Sequence, residues 1–235
     1  WSEVMLKSMR HAEAVQQLGI AMPGPFDYEK GISLIRGFHK YESLYGLNVK
    51  TPLASQLGIS PAQITMANDA RCFLQGELVN GAAKGAPCVL GFTLGTGFGS
   101  AIAENGIARD AAYFDTPFLA SRAEDYFSTR WFVKRYHELQ GSKSAANVKE
   151  IAAAANECPV AAQVFREFGA HLALFLSTIP PLPPVIVLGG NIAHTFPLFY
   201  PALQQGMKEH RLSTSFVVAA LGEHAALTGA ASLCR

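Results

Sequence analysis

The chain has 235 residues, a net charge of +1, 49% hydrophobic residues and 16% charged ones. That is enough apolar material for one large core or two small ones, and the balanced charge gives no sign of nucleic acid or a membrane surface as a partner. No apolar run approaches the ~20 residues of a spanning helix, no secretory leader is visible, and the four scattered cysteines (Cys72, Cys88, Cys158 and Cys234) contain no CxxC pair. Reduced thiols in a cytoplasmic protein are the expectation.

In chain order, "WSEVMLKSMRHAEAVQQLG" reads as a helix already under way, with Val4, Met5, Met9 and Val15 near helical spacing. "IAMPGPFD" is a short apolar strand entering a Pro-Gly-Pro turn, and "YEKGISLI" completes a hairpin-like pair. "TPLASQLGIS" is a helix closed by Gly58, "ITMAN" a strand, and "DARCFLQGELVNGAA" the helix behind it. "APCVLGFTLGTGFGSAIAENGIA" is two apolar strands split by a glycine-rich turn. "AEDYFSTRWFVKRYHEL", "VKEIAAAANE" and "VAAQVFREFGAHLALFLSTI" are helices; "PPVIVLGGNIA" is a buried strand ending in Gly-Gly. "FPLFYPALQQGMKEH", "FVVAAL" and "EHAALTGAASL" add a helix, a strand and a closing helix. Such alternation implies α/β layers. A boundary is expected near Gly85-Ala86-Pro87, dividing 1–86, joined by the closing helix 223–235, from 87–222.

Five places carry candidate chemistry. In "LGTGFGS", Gly95, Thr96 and Gly97 can bring backbone N–H groups and a hydroxyl against phosphate oxygens, or simply form a tight hairpin. Gly189 and Gly190 follow a buried strand, where open α/β sheets bind ligands, or make a plain turn with Asn191 as helix cap. Gly24, in "AMPGPFD", offers bare backbone to a sugar hydroxyl, or stiffens a turn. Asn68 and Asp69 sit where a strand becomes a helix. Asp69 is either the N-cap or a base aimed at a substrate hydroxyl, with Asn68 as donor and acceptor beside it. Glu124 opens an amphipathic helix and either binds paired hydroxyls or complements the helix dipole. Glu77 reads as structural, and His39 as a surface or packing residue; the seven histidines form no metal-ligand spacing, so no metal ligand is assigned.

In order, "GIAMPGPFD…GI", "ANDA…GE", "LGTGFGSAI", "VIVLGGNI" and "GEHAALTGAASL" resemble the ROK family of repressors, open reading frames and sugar kinases, over nearly the whole chain. The resemblance implies an actin-like, sugar-kinase fold of two α/β domains around a cleft, with ATP and Mg²⁺ as cofactors. The expected activity is phosphorylation of a hexose, glucose or a close relative. Asp69 corresponds to the general base, Asn68, Gly24 and Glu124 to sugar contacts, Gly95, Thr96 and Gly97 to the second phosphate loop, and Gly189 and Gly190 to the adenosine-side turn. Homodimers are frequent in the family. Three departures stand out. Nothing matches the family's initial Asp-x-Gly-Gly-Thr phosphate loop, and the expectation is that the chain omits those first strands. The stretch "NGIARDAAYFDTPFLASRAEDYFS" is short for the family and has neither its Glu-x-x-Gly-His segment nor its zinc-binding cysteines, so no structural zinc is expected. No segment of the sequence reads as a helix-turn-helix, so a repressor role is not expected. A sugar-sensing module of a regulator, or an inactive relative, are the alternatives.

Overall fold

The protein is described here by a computed structural model covering residues 16–36, 42–141, 147–179 and 181–234. The helix expected at the start of the chain and His39 fall outside these residues, except that the last two positions assigned to that helix, Leu18 and Gly19, open strand β1 instead. Strands β1 (Leu18–Met22) and β4 (Ile64–Asn68) pair in parallel, Leu18 opposite Ile64 and Met22 opposite Asn68. Side chains alternate along each strand. Ile20, Met22, Ile64 and Met66 pack with Phe26 and Leu53 on one face, while Ala67 lies with Cys72 and Ala230 on the other. Between these strands run a short hairpin, β2 (Phe26–Asp27) with β3 (Ile32–Ser33), and helix α1 (Lys50–Leu57), which ends at Gly58 in the left-handed region.

A five-stranded sheet follows, ordered β11-β10-β5-β6-β7. Strands β5 (Cys88–Leu94), β6 (Phe98–Glu104) and β7 (Ile107–Asp110) form an antiparallel meander. The later β10 (Val185–Gly189) and β11 (Ser215–Val218) join parallel to β5. The sequence reading ended the meander one strand too early. Asn105-Gly106, both with positive φ (51° and 80°), make the two-residue turn that starts β7, and an Asn-Gly pair is the usual sequence sign of such a turn. A small hairpin, β8 (Pro117–Phe118) with β9 (Ser121–Arg122), leads to the helices α3 (Thr129–Gln140), α4 (Val148–Ala154) and α5 (Pro159–Leu176).

The two faces of this sheet differ. One is covered by α3, α5 and α6 (Phe196–Glu209) around a dense aromatic core that includes Phe92, Phe98, Phe127, Phe168 and Phe175. The other receives α2 (Asp69–Asn80), whose Phe73, Leu74 and Leu78 pack on Val89, Ala101, Ala103 and Ala108. Burying each such large side chain contributes about 1.5–3 kcal/mol. The closing helix α7 (His224–Ser232) lies along α2 with the backbones in direct contact. A Cβ on Gly76 would overlap the Ala225 carbonyl, and one on Gly229 the Cys72 carbonyl. Helix α2 is therefore held by a sheet, a helix and the end of β4, and it points its first residues at the ends of β5 and β6. Among the described residues no helix is long and apolar enough to cross a membrane.

Candidate active site

The junction of β4 and α2 answers which residue caps the helix. It is Asn68, not Asp69. Asn68 has extended ψ (141°), and its side-chain oxygen accepts from the N–H groups of Ala70 (2.9 Å) and Arg71 (3.2 Å). An N-cap satisfies donors that the first helical turn leaves over. With that role taken, Asp69 is the first helical residue. Its Oδ1 accepts one bond, from the Ala70 N–H at 2.9 Å, and its side chain is exposed to solvent. Even so, protein crowds it closely, and this burial holds its carboxyl above the usual carboxylate range; backbone N–H bonds pull the other way and the charge of Asp110 adds to the rise. Solvent thus reaches a carboxyl that protein largely surrounds. A carboxyl so placed is a stronger base than a free one.

Ahead of it, Gly24 and Asn68 meet at a residue that the sequence reading missed. Tyr28 donates its hydroxyl proton to the Met22 carbonyl (3.2 Å) and accepts from Asn68 Nδ2 (3.1 Å). A Cβ on Gly24 would lie 3.2 Å from that hydroxyl and 3.5 Å from Asn68 Nδ2. Burial drives the Tyr28 hydroxyl well above its ordinary pKa, so it stays protonated. Asn68 thus has one side-chain N–H left for a ligand, beside bare backbone at Gly24. Nothing local in "PFDYEK" marks Tyr28; only the fold of the hairpin brings it to Asn68.

The glycine-rich turn lies at the same opening. Gly99 packs so tightly on the residue after Asp69 that an added Cβ would come within 2.9 Å of the Ala70 Cβ. Leu94 pairs with Phe98, leaving Gly95-Thr96-Gly97 as the turn. The Gly95 N–H donates to the Gly97 carbonyl (3.1 Å), and the Gly95 carbonyl accepts from the Thr129 N–H (2.7 Å) and hydroxyl (3.0 Å). Helix α3 therefore pins the turn from behind. Thr96 is exposed, and a Cβ on Gly95 would meet open space. Gly189 and Gly190 end β10 at the same edge, with Gly189 paired to Thr93. A side chain at Gly189 would run into the Phe73 ring. Gly190, with φ 82°, lies against the Leu94 carbonyl. Asn191 is not the helix cap; Gly190 precedes a 3₁₀ turn there with no side-chain cap.

Glu124 is not on helix α3, which starts at Thr129; it sits in a 3₁₀ turn over Ala123–Asp125. Its carboxylate is bonded by Arg130 (3.0 Å) and lies 3.5 Å from the Phe98 N–H, close to Gly97. The structure thus puts it beside the glycine turn, already paired. Its segment is anchored by rings: Phe118 and Tyr126 pack edge-on, and Tyr126 and Trp131 pack on His171, whose Nδ1 is buried without a partner. Among the described residues no group of three or more His, Cys, Asp or Glu could hold a metal ion.

A mixed five-stranded sheet with helices on both faces, beside a parallel strand pair that feeds α2, fits the actin-like fold of sugar kinases. Solved structures agree. A ROK family glucokinase from Streptomyces griseus, in complex with glucose and AMPPNP, superimposes with a TM-score of 0.76 over 100% of this chain and 87% of that one, at 23% identity. Glucokinase from Parabacteroides distasonis gives 0.83 over 99% and 84%, at 20% identity. The ROK family's sequence profile matches residues 3–111 and 122–235, and the chain belongs to the ROK family. The gap between those two blocks, residues 112–121, falls within the stretch expected to be short for the family. Similar relatives include the N-acetyl-D-glucosamine kinases of Histophilus somni (27% identical over 92% of this chain and 79% of that protein) and Photobacterium profundum (28% over 92% and 79%).

Proposed function

We propose that the protein is an ATP-dependent sugar kinase that phosphorylates a hexose, glucose or its N-acetylated 2-amino relative. The observation that carries this is Asp69, freed from capping by Asn68, open to solvent, and one residue from the strand that follows the glycine turn. A substrate hydroxyl set against Asp69 loses its proton to the free carboxylate oxygen as its own oxygen attacks the γ-phosphorus. The bond from that phosphorus to the β–γ bridging oxygen breaks, and ADP leaves. Asn68 Nδ2–H and the backbone at Gly24 orient the sugar ring, and Tyr28 keeps Asn68 in place. The Thr96 hydroxyl and the backbone N–H groups of Thr96 and Gly97 suit phosphate oxygens. Magnesium would be carried on the nucleotide's own oxygens and water, lowering the charge that the attacking oxygen meets. The similarity to N-acetyl-D-glucosamine kinases supports a 2-acetamido sugar among the candidates, and the alignment with a glucose-bound structure supports glucose.

The test is a panel of hexoses and N-acetylhexosamines with ATP and the full chain, read as sugar-dependent ADP release. Turnover with at least one of them is expected. Tight sugar binding with no ATP binding would instead make the protein a sensor, and binding of neither would make it an inactive relative.

A further inference from the structure

Strand β7 is fastened to α2 by three side-chain bonds. Gln75 donates to the Gly106 carbonyl (3.0 Å) and accepts from the Ala108 N–H (2.9 Å), while Arg71 Nε donates to the Ala108 carbonyl (2.9 Å). Arg71 and Gln75 are one turn apart on one helix face. The strand therefore runs up the helix toward its first residue. Ala108 is fully buried against Phe73 and Leu74, so its side chain faces α2. Asp110 lies two residues on and shares that face by strand alternation. Its cross-strand partner Ala101 is buried in the same cluster. Two strand residues advance about 7 Å, slightly more than one helical turn. From Ala108, level with Arg71, that step carries Asp110 just past the start of α2, where Asp69 stands.

The two carboxylates are presented alike. Each accepts through Oδ1 from a nearby N–H, Ala70 for Asp69 (2.9 Å) and Ala112 for Asp110 (3.1 Å). Each is exposed, and neither has an ion pair among the described residues. Glu124 differs: Arg130 and Arg122 lie on its carboxylate. Resting on the kinase reading above, we infer that Asp110 is a second carboxylate of the sugar pocket, accepting a hydrogen bond from a ring hydroxyl neighbouring the one that reacts. It lies inside the stretch 105–121, for which the sequence reading names no sugar contact. Asp110 also acts on Asp69 through space, since its charge raises the Asp69 carboxyl. The other groups that feel Asp69 are Tyr28 and Cys72, both raised by burial, Cys72 to about 12; burial raises the Asp110 carboxyl too, and Arg71 moderates that rise.

Asp110→Asn keeps the bond to the Ala112 N–H and the side-chain shape while replacing the free acceptor with a donor. With the best sugar of the panel, its KM should rise about tenfold or more, as expected for losing a hydrogen bond to a charged group, with the KM for ATP unchanged. The acid limb of kcat/KM should move to lower pH, a shift that a merely structural role would not cause. Deoxy sugars should identify the hydroxyl: removing it should penalise the parent and leave Asp110→Asn indifferent. Parental sugar KM and an unmoved acid limb in Asp110→Asn, with the parent active, would overturn this inference alone. A parent that neither binds nor phosphorylates any sugar overturns it together with the kinase reading.

Discussion

Asp69 and Glu77 are two turns apart on one helix, and their surroundings are opposite. Glu77 is fully buried. One carboxylate oxygen accepts from the N–H groups of Ala82 (2.7 Å) and Ala220 (3.0 Å), and the other from Leu221 (2.9 Å). Three backbone donors, with no ion pair to Glu77 among the described residues, close the end of α2 and tie it to the segment following β11. Asp69 is exposed, has one neighbouring donor, and leaves an oxygen open. A carboxylate whose acceptor sites are filled by backbone is a pin, whereas one with a vacant site in a crowded hollow can take a proton. The same helix supplies both because its far end is buried under α7 and β11 while its start opens between two sheets.

The largest expected effect is on turnover. Asp69→Asn should lower kcat by about 10²–10⁴ with little change in sugar KM, if taking the proton is its main role. Steady-state ADP release measures it, with circular dichroism to show an unchanged fold. Parental kcat in this variant would remove Asp69 from the chemistry and leave it no more active than Glu77.

Glu77→Ala inverts the pattern. Three partly buried N–H groups lose their acceptor, each costing about 1–3 kcal/mol less whatever water recovers, so a stability loss of about 2–4 kcal/mol is expected in denaturant melts. The folded fraction should keep near-parental kcat. A kcat loss as deep as that of Asp69→Asn, with stability retained, would break the distinction between pin and base.

Much of this contrast can be read from the sequence, and its limits are physical. The strand-to-helix step at Asn68-Asp69 is visible because apolar alternation stops where cap residues begin. Which of the two caps is not visible, since Asn and Asp are both good caps and only the backbone angle at Asn68 decides. Glu77 reads as structural because it lies inside a helix, yet its partners Ala220 and Leu221 are more than 140 residues away. Asp110 and Tyr28 carry no local signal at all. One is placed by the bonds of Arg71 and Gln75 to β7, the other by a hairpin folding back on Met22. Glu124 was assigned to a helix because "AEDYFSTRWF" has helical periodicity, but the chain makes only one 3₁₀ turn before α3 begins at Thr129.

A third variant tests the opening opposite Asp69. An added Cβ at Gly95 meets nothing within 4 Å, and the residue has no positive φ. Gly95→Ala should therefore melt within about 0.5 kcal/mol of the parent, as surface changes do. The methyl group would stand where phosphate must approach the turn, so the KM for ATP should rise several-fold with the sugar KM unchanged. An unchanged ATP KM would place the phosphates elsewhere.

The smallest effect concerns stability and pH. Because surrounding protein raises the Asp69 carboxyl, the folded chain holds this proton more tightly than the unfolded chain does. Protons bound more tightly in the folded state favour folding at low pH, and that contribution is lost as pH rises through the folded pKa. An Asn at this position stays neutral throughout. Melting temperatures of Asp69→Asn and the parent should therefore coincide in acid, near or below the usual aspartate pKa of about 3.9. The variant should become slightly the more stable as pH increases, with the difference constant once the folded carboxyl has ionised. Water reaches this side chain, so the gap is small. If instead Asp69→Asn were the less stable at neutral pH, the ionised carboxylate would be held by partners, and Asp69 would be a second pin on the same helix.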